Sequence, residues 1–120
     1  MPSLGSYLRN AREQLRASGG DYSLRRVAAR VGVGAAYLSQ VERDAGSPPT
    51  EATLKALAAD LKLDANVLLA MAGKVSAELQ AVIVKRPQLF AQVLAACRDL
   101  PDHAILRLVR EVREVRDGEW

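Results

Sequence analysis

Tyr22-Ser-Leu-Arg-Arg-Val-Ala-Ala-Arg-Val-Gly-Val-Gly-Ala-Ala-Tyr-Leu-Ser-Gln-Val-Glu-Arg-Asp44 is the stretch that decides the fold. Ser23 can cap a helix running to about Val31, whose apolar positions Leu24, Val27, Ala28 and Val31 share one face. Gly32 makes a turn, and a second short helix starts at Gly34 and runs to about Arg43, with Leu38 and Val41 facing inward. Two helices cross closely only where side chains are small, and Ala28 and Gly32 occupy the crossing. A small residue in the first helix, a glycine in the turn and an apolar residue two-thirds along the second are far more specific together than any lone glycine pair.

On the N-terminal side, Leu4, Leu8, Ala11 and Leu15 mark the apolar face of a preceding helix, with Ser3 as its cap, and Ser18-Gly-Gly-Asp21 ends it. Ala45-Gly-Ser-Pro-Pro49 reads as a loop. Thr50 caps a helix carrying Leu54, Leu57, Ala58 and Leu61 on one face, and Asp64 caps another with Val67, Leu68 and Met71 inward, stopped at Gly73. Ser76 caps a helix to about Arg86, Pro87 opens one to about Asp99, and Leu100-Pro-Asp breaks the chain before a last helix from about Asp102 to Asp117. The fold class is therefore all-α: a five-helix unit containing the helix-turn-helix, residues 1–74, followed by a three-helix subdomain, residues 75–120.

The formal charge of +3 is unevenly placed. The first 43 residues carry seven Lys or Arg against three Asp or Glu, whereas the chain after Lys74 carries seven of each. The basic surplus thus coincides with the helical pair, as expected of a footprint on phosphate. Double-stranded DNA is the expected partner, with the second helix of the pair laid in the major groove. Ser23, Arg25 and Arg26 can meet the backbone. Ala35, Ala36, Tyr37, Ser39 and Gln40 form the reading face, in which Gln40 offers a donor and an acceptor to adenine and Ala36 can meet a thymine methyl. Tyr37 is either a hydrogen-bonding contact or a packed ring with its hydroxyl in solvent, and Arg43 either reaches DNA or is solvated. Two packed helices of an ordinary bundle would show the same periodicity; the absence of acidic and large aliphatic groups on the reading face argues against it.

An enzyme is not expected. His103 has no partner at metal-ligand spacing, Cys97 sits among Ala95 and Ala96, and neither a metal nor a cofactor is implied. A single cysteine permits no internal disulfide and suits a reducing cytoplasm, and the longest apolar runs are too short to span a bilayer, so no membrane partner is expected. The C-terminal subdomain leaves little room for a small-molecule cavity, so no such ligand is expected.

Leu8, Arg12, Ser23, Val27-Ala28, Gly32-Val33, Leu38-Ser39, Glu42, Pro48 and Leu54 with Leu57-Ala58 fall in the order of the phage-repressor-like XRE family, which the chain resembles over about residues 4 to 72. The resemblance implies an ion pair between Arg12 and Glu42, a structural role in preference to a DNA contact. The chain departs from that family at Leu24, where a phosphate-gripping glutamine is frequent, and at Gly34, where a serine or threonine cap is common. Ser23, Arg25, Arg26 and helix-end amides would then have to hold phosphate.

A single such domain touches few bases, so two are usually coupled across a palindromic operator with half-sites about 34 Å apart. The apolar residues Leu79, Val82, Ile83, Leu89, Phe90, Val93, Leu94, Ile105, Leu106, Leu108, Val109, Val112 and Val115 exceed what three short helices can bury among themselves, and of these Leu89, Phe90, Val93, Ile105, Leu108, Val109 and Val112 are the expected homodimer contact. The run Arg86-Pro-Gln-Leu-Phe-Ala, the segment from Leu100 to Arg113 and the end Asp-Gly-Glu-Trp resemble the DdrO-type repressors of the radiation and desiccation response. That resemblance implies a repressor inactivated when a zinc metalloprotease of the IrrE (ImmA-like) family cuts the last helix, between Leu106 and Arg107. From the residues alone the same pair is a core-edge leucine beside a solvated arginine. A competing class is an antitoxin or interaction module that masks a partner protein with its C-terminal helices.

Overall fold

A computed structural model describes residues 2–118, and the described residues form eight helices and no strand. The helices are α1 (Leu4–Ala17), α2 (Leu24–Val31), α3 (Ala35–Glu42), α4 (Glu51–Leu61), α5 (Ala65–Met71), α6 (Ala77–Lys85), α7 (Pro87–Ala96) and α8 (Asp102–Arg116). They divide into two compact units, Met1–Ala77 and Glu78–Trp120. Among the described residues no helix is long and apolar enough to cross a membrane.

Caps written into the sequence delimit the helices of the first unit. Ser3 Oγ accepts from the Ser6 amide at 3.2 Å, Ser23 Oγ from Arg26 at 3.3 Å and Thr50 Oγ1 from Thr53 at 3.2 Å, each satisfying a donor that the first helical turn leaves unpaired. Asp64 Oδ1 does the same for Asn66 at 2.8 Å. At the end of α2, Gly32 takes φ +84°, a left-handed conformation, so that its own amide and that of Val33 both return to Ala28 O. That turn swings the chain directly into α3.

The core of this unit is Leu8, Val27, Ala28, Leu38, Val41, Leu54, Leu57, Ala58, Leu61, Leu68 and Leu69. The register of α5 differs from the expectation: Leu68 and Leu69 are buried, whereas Val67 is 42% exposed and Met71 is partly buried. The inward stripe is Ala65, Leu68, Leu69 and Ala72, a regular helical spacing that leaves Val67 on the opposite side. Beyond α5, residues 72–77 belong to the first unit. Lys74 Nζ donates to Pro49 O at 3.0 Å, Ser76 is buried, and the Ala77 amide donates to Glu51 Oε1 at 2.9 Å. These bonds carry the edge of the unit past Lys74 to Ala77.

The second unit is built differently. Pro87 opens α7 at its first turn, and Pro101 stands immediately before α8, which has Asp102 in its first turn and Arg113 and Arg116 in its last, an arrangement favourable to the helix dipole. None of the residues described in α6, α7 and α8 is fully buried. Ile83, Phe90, Cys97 and Ala104 are half-buried, while Leu79, Val82, Leu89, Val93, Leu108, Val109, Val112 and Val115 are exposed. A groove of about 380 Å³ between α7 and α8 is lined by Val93, Cys97, Ile105, Leu108, Val109, Val112 and Arg113.

Candidate nucleic-acid interface

The second helix of the expected pair is α3, and its end is bonded to α1. Arg12, buried in α1, donates Nε to Glu42 Oε2 at 2.7 Å and Nη2 to Glu42 Oε1 at 3.0 Å, a bidentate pair. Its third nitrogen, Nη1, reaches the carbonyl of Tyr22 at 3.1 Å, so one guanidinium joins α1, the entry to α2 and the last residue of α3. Hydrogen bonding to Glu42 raises the Arg12 pKa above its ordinary value, against the opposing effect of burial, and the side chain stays charged.

Two residues that the sequence pattern does not single out complete this junction. A Cβ on Gly5 would lie 2.6 Å from the carbonyl oxygens of both Val41 and Glu42, so α1 approaches the end of α3 at a distance only glycine permits. The Gly5 amide donates to Asp44 Oδ1 at 2.8 Å, with Asp44 itself at φ +56°. The Ser3 side chain and the Gly5 amide hold the Asp44 carboxyl below the usual aspartate range. Nothing in local sequence pattern signals a bond between residues this far apart in the chain, since its donor is a backbone amide.

With Leu38 and Val41 buried, Ala36, Gln40 and Arg43 are left in one exposed stripe at spacings of four and three. Ser39 lies half-buried beside it. Arg43 is exposed, and its Nε donates to Ser39 O at 3.3 Å. Ala35 and Tyr37 are partly buried and pack against the core, so Tyr37 has a packed ring. On α2, Ser23 is occupied as a cap, Arg25 is exposed, and Arg26 stands 3.7 Å from Asp21 across an exposed pair.

The basic surplus counted from sequence is not all available to a ligand. Arg12 is consumed by Glu42, and Arg30 forms a second bidentate pair, Nε to Asp60 Oδ1 at 2.7 Å and Nη2 to Oδ2 at 3.0 Å. Arg30 also donates Nη1 to Asp21 O at 2.7 Å and lies 4.8 Å from the centre of the Tyr22 ring, so it ties α2 to α4. Asp60 is the main cause of its raised pKa. Arg25 and Arg26 on α2 and Arg43 at the end of α3 are exposed cations.

Residues 3–70 match the helix-turn-helix domain family, which covers more than half of the chain. The chain is a helix-turn-helix protein. Its fold is similar to that of a solved chain described as a SinR protein/SinI protein complex, with a TM-score of 0.50, 21% identity, and coverage of 96% of this chain and 98% of that one. No curated protein matches this helix-turn-helix protein in sequence. The family and the exposed stripe on α3 together make it a DNA-binding regulator in type.

In the second unit the residues expected at a dimer contact lie on two helices: Leu89, Phe90 and Val93 on α7, and Ile105, Leu108, Val109 and Val112 on α8. Phe90 is half-buried and the others are exposed. Leu106 and Arg107 sit in the second turn of α8, Leu106 exposed and Arg107 in an exposed pair with Glu111 at 3.7 Å. Among the described residues no group of three or more His, Cys, Asp or Glu could hold a metal ion. Of the Asp-Gly-Glu-Trp end, Glu119 and Trp120 lie outside the described residues.

Proposed function

We propose that this protein is a dimeric, sequence-specific transcriptional repressor that lays α3 in the DNA major groove and pairs with a second copy through its second unit. The observation that carries the reading is the disposition of charge at the end of α3. Glu42 and Asp44, the two carboxylates flanking Arg43, are both bonded to α1, and the exposed stripe Ala36, Gln40 and Arg43 carries no acidic group. Phosphate attracts such a face, and Gln40 brings to it a side chain able to pair bidentately with adenine. In this reading Gln40, Ser39 and Ala36 face bases, Tyr37 and Ala35 support them, and Ser23, Arg25, Arg26 and Arg43 meet the backbone.

Dimerisation is supported by the state of the second unit. Its large aliphatic side chains are exposed, which a monomer of this size does not stabilise, and its Lys and Arg equal its Asp and Glu, so two copies do not repel. A palindromic operator follows from a two-fold dimer. Selection of duplexes from a random-sequence pool by the full-length protein, followed by titration at several salt concentrations, tests the reading. Enriched inverted repeats with centres about 34 Å apart, and affinity falling steeply with salt, are the expected result. Failure to enrich any sequence would overturn it.

The finer reading is a repressor of a DNA-damage regulon, of the radiation and desiccation type, that loses function when a zinc metalloprotease cuts α8 between Leu106 and Arg107. The DdrO-type resemblance of residues 86–91 and 100–113 supports it. A helix does not enter a protease cleft until it opens locally, so cleavage follows fraying of α8 or dissociation of the dimer. Mass spectrometry of the protein after incubation with the metalloprotease from the same cell is the test, and an intact C-terminus excludes this route. The competing reading, an antitoxin or interaction module, draws on the same exposed α7 and α8 surface and on the likeness in fold to a chain solved as a SinR protein/SinI protein complex. It predicts a second polypeptide that co-purifies with the chain.

A further inference from the structure

Glu42 is fastened to Arg12 and Asp44 to the first turn of α1, and Arg43 stands between them. The chain leaves α3 through a tight exit in which the Asp44 amide returns to Val41 O at 3.1 Å and the Ala45 amide to Gln40 O at 2.8 Å. The Asp44 carboxylate thus binds an α1 amide while its own backbone closes the last turn of α3. Gly5 has no side chain to hold the two helices apart, and a Cβ there would meet Asp44 Oδ1 at 2.8 Å as well as the two carbonyls. Across this junction the amides at the start of α1 carry partial positive charge toward the carboxylate and toward the carbonyl end of α3.

We infer that Asp44 is a positioning residue for DNA recognition: its carboxylate, anchored on the Gly5 amide, sets the exit of α3 so that Gln40 and Arg43 are presented together. This rests on the reading of α3 as the DNA-contacting helix. Asp44 does not itself touch DNA. It acts through Gln40, whose carbonyl is bonded by the residue after Asp44, and through Arg43, which precedes it. Rotation of the α3 exit moves both side chains at once, and contacts to base edges are lost on displacements of about half an ångström to an ångström.

Two variants separate anchoring from other roles. Asp44→Asn keeps a side-chain oxygen for the Gly5 amide and tolerates φ +56°, whereas Asp44→Gly tolerates that backbone and removes the acceptor. Full-length wild type first selects a duplex from a random pool; both variants are then titrated against that duplex and against one with a single altered base pair. Asp44→Gly is expected to lose about tenfold on the selected duplex and most of its preference over the altered one, while Asp44→Asn stays within about threefold of wild type. Amide hydrogen exchange of the free proteins is read in parallel, with faster exchange expected at Gly5 and residues 43–45 in Asp44→Gly alone. The inference is overturned if Asp44→Gly binds and discriminates as wild type does, if Asp44→Asn loses as much as Asp44→Gly, or if exchange at Gly5 is unchanged. A wild type that enriches no duplex overturns the DNA-binding reading itself, and does so before either variant is measured.

Discussion

Arg12 and Glu42 meet through two parallel hydrogen bonds, 2.7 and 3.0 Å, with side chains only 6% and 7% exposed. The pair joins α1 to the last residue of the helix that carries Gln40, so the scaffold and the exposed stripe of α3 share one polar bolt. Removing one partner leaves the other charge buried. Arg12→Ala is therefore expected to cost about 3 to 5 kcal/mol of stability, and Arg12→Lys most of that, because an ammonium cannot reproduce the planar fork. Urea unfolding followed by circular dichroism measures both; a loss under about 1 kcal/mol for Arg12→Ala would show the pair to be solvated.

Gly5→Ala tests the close approach of α1 to α3. The new methyl meets backbone oxygens of Val41 and Glu42 at 2.6 Å, and backbone cannot step aside as a flexible side chain can. Loss of about 1 to 3 kcal/mol is expected despite the higher helix propensity of alanine, visible as a lowered thermal midpoint. A raised midpoint would mean that the junction is looser than the structure has it.

Asp44 gives the first unit an acid-sensitive joint. Its folded pKa is depressed by the Ser3 side chain and the Gly5 amide, so its contribution is present above the ordinary aspartate range and is lost as pH falls through the lower folded value. Thermal midpoints of wild type and Asp44→Asn should run parallel near neutrality and converge or cross below about pH 4. Parallel curves down to the acid limit would contradict this.

Base readout and phosphate contact are separable. Gln40→Ala should flatten the preference at one base pair of each half-site by about 1 to 3 kcal/mol, whereas Arg25→Ala should weaken all duplexes alike and lower the salt slope by about one. Titration against operator variants at fixed salt distinguishes them, and an unchanged base preference in Gln40→Ala would remove that residue from the reading face.

The parts legible in the sequence are those written in local signals. Ser3, Ser23, Thr50 and Asp64 announce their helices because an N-cap is a short-range device, and Val27, Ala28, Leu38 and Leu54 fall on the core face by simple period. In α5 the period fails, since three consecutive apolar residues, Val67, Leu68 and Leu69, give two turns of helix no unique inner face. The junction of Gly5 with Asp44 and the pair of Arg30 with Asp60 are illegible for another reason: each joins residues at least 30 apart. Arg30 consequently counts by sequence among cations open to phosphate when its charge is spent on α4. The Arg12–Glu42 pair, equally remote in the chain, is reached only through the family resemblance.

In the proposed function, tight binding to a palindrome requires coupling between two copies through the second unit. Val109→Asp with Val112→Asp places carboxylates on the apolar face of α8, within the second unit. Titrated against the same palindromic duplex at fixed salt, the full-length double variant is expected to bind at least about a hundredfold more weakly than wild type and to sediment as a monomer, because it engages one half-site at a time. Equal affinity for that duplex in a variant that sediments as a monomer would contradict the coupling, and a variant that stays dimeric would remove Val109 and Val112 from the contact.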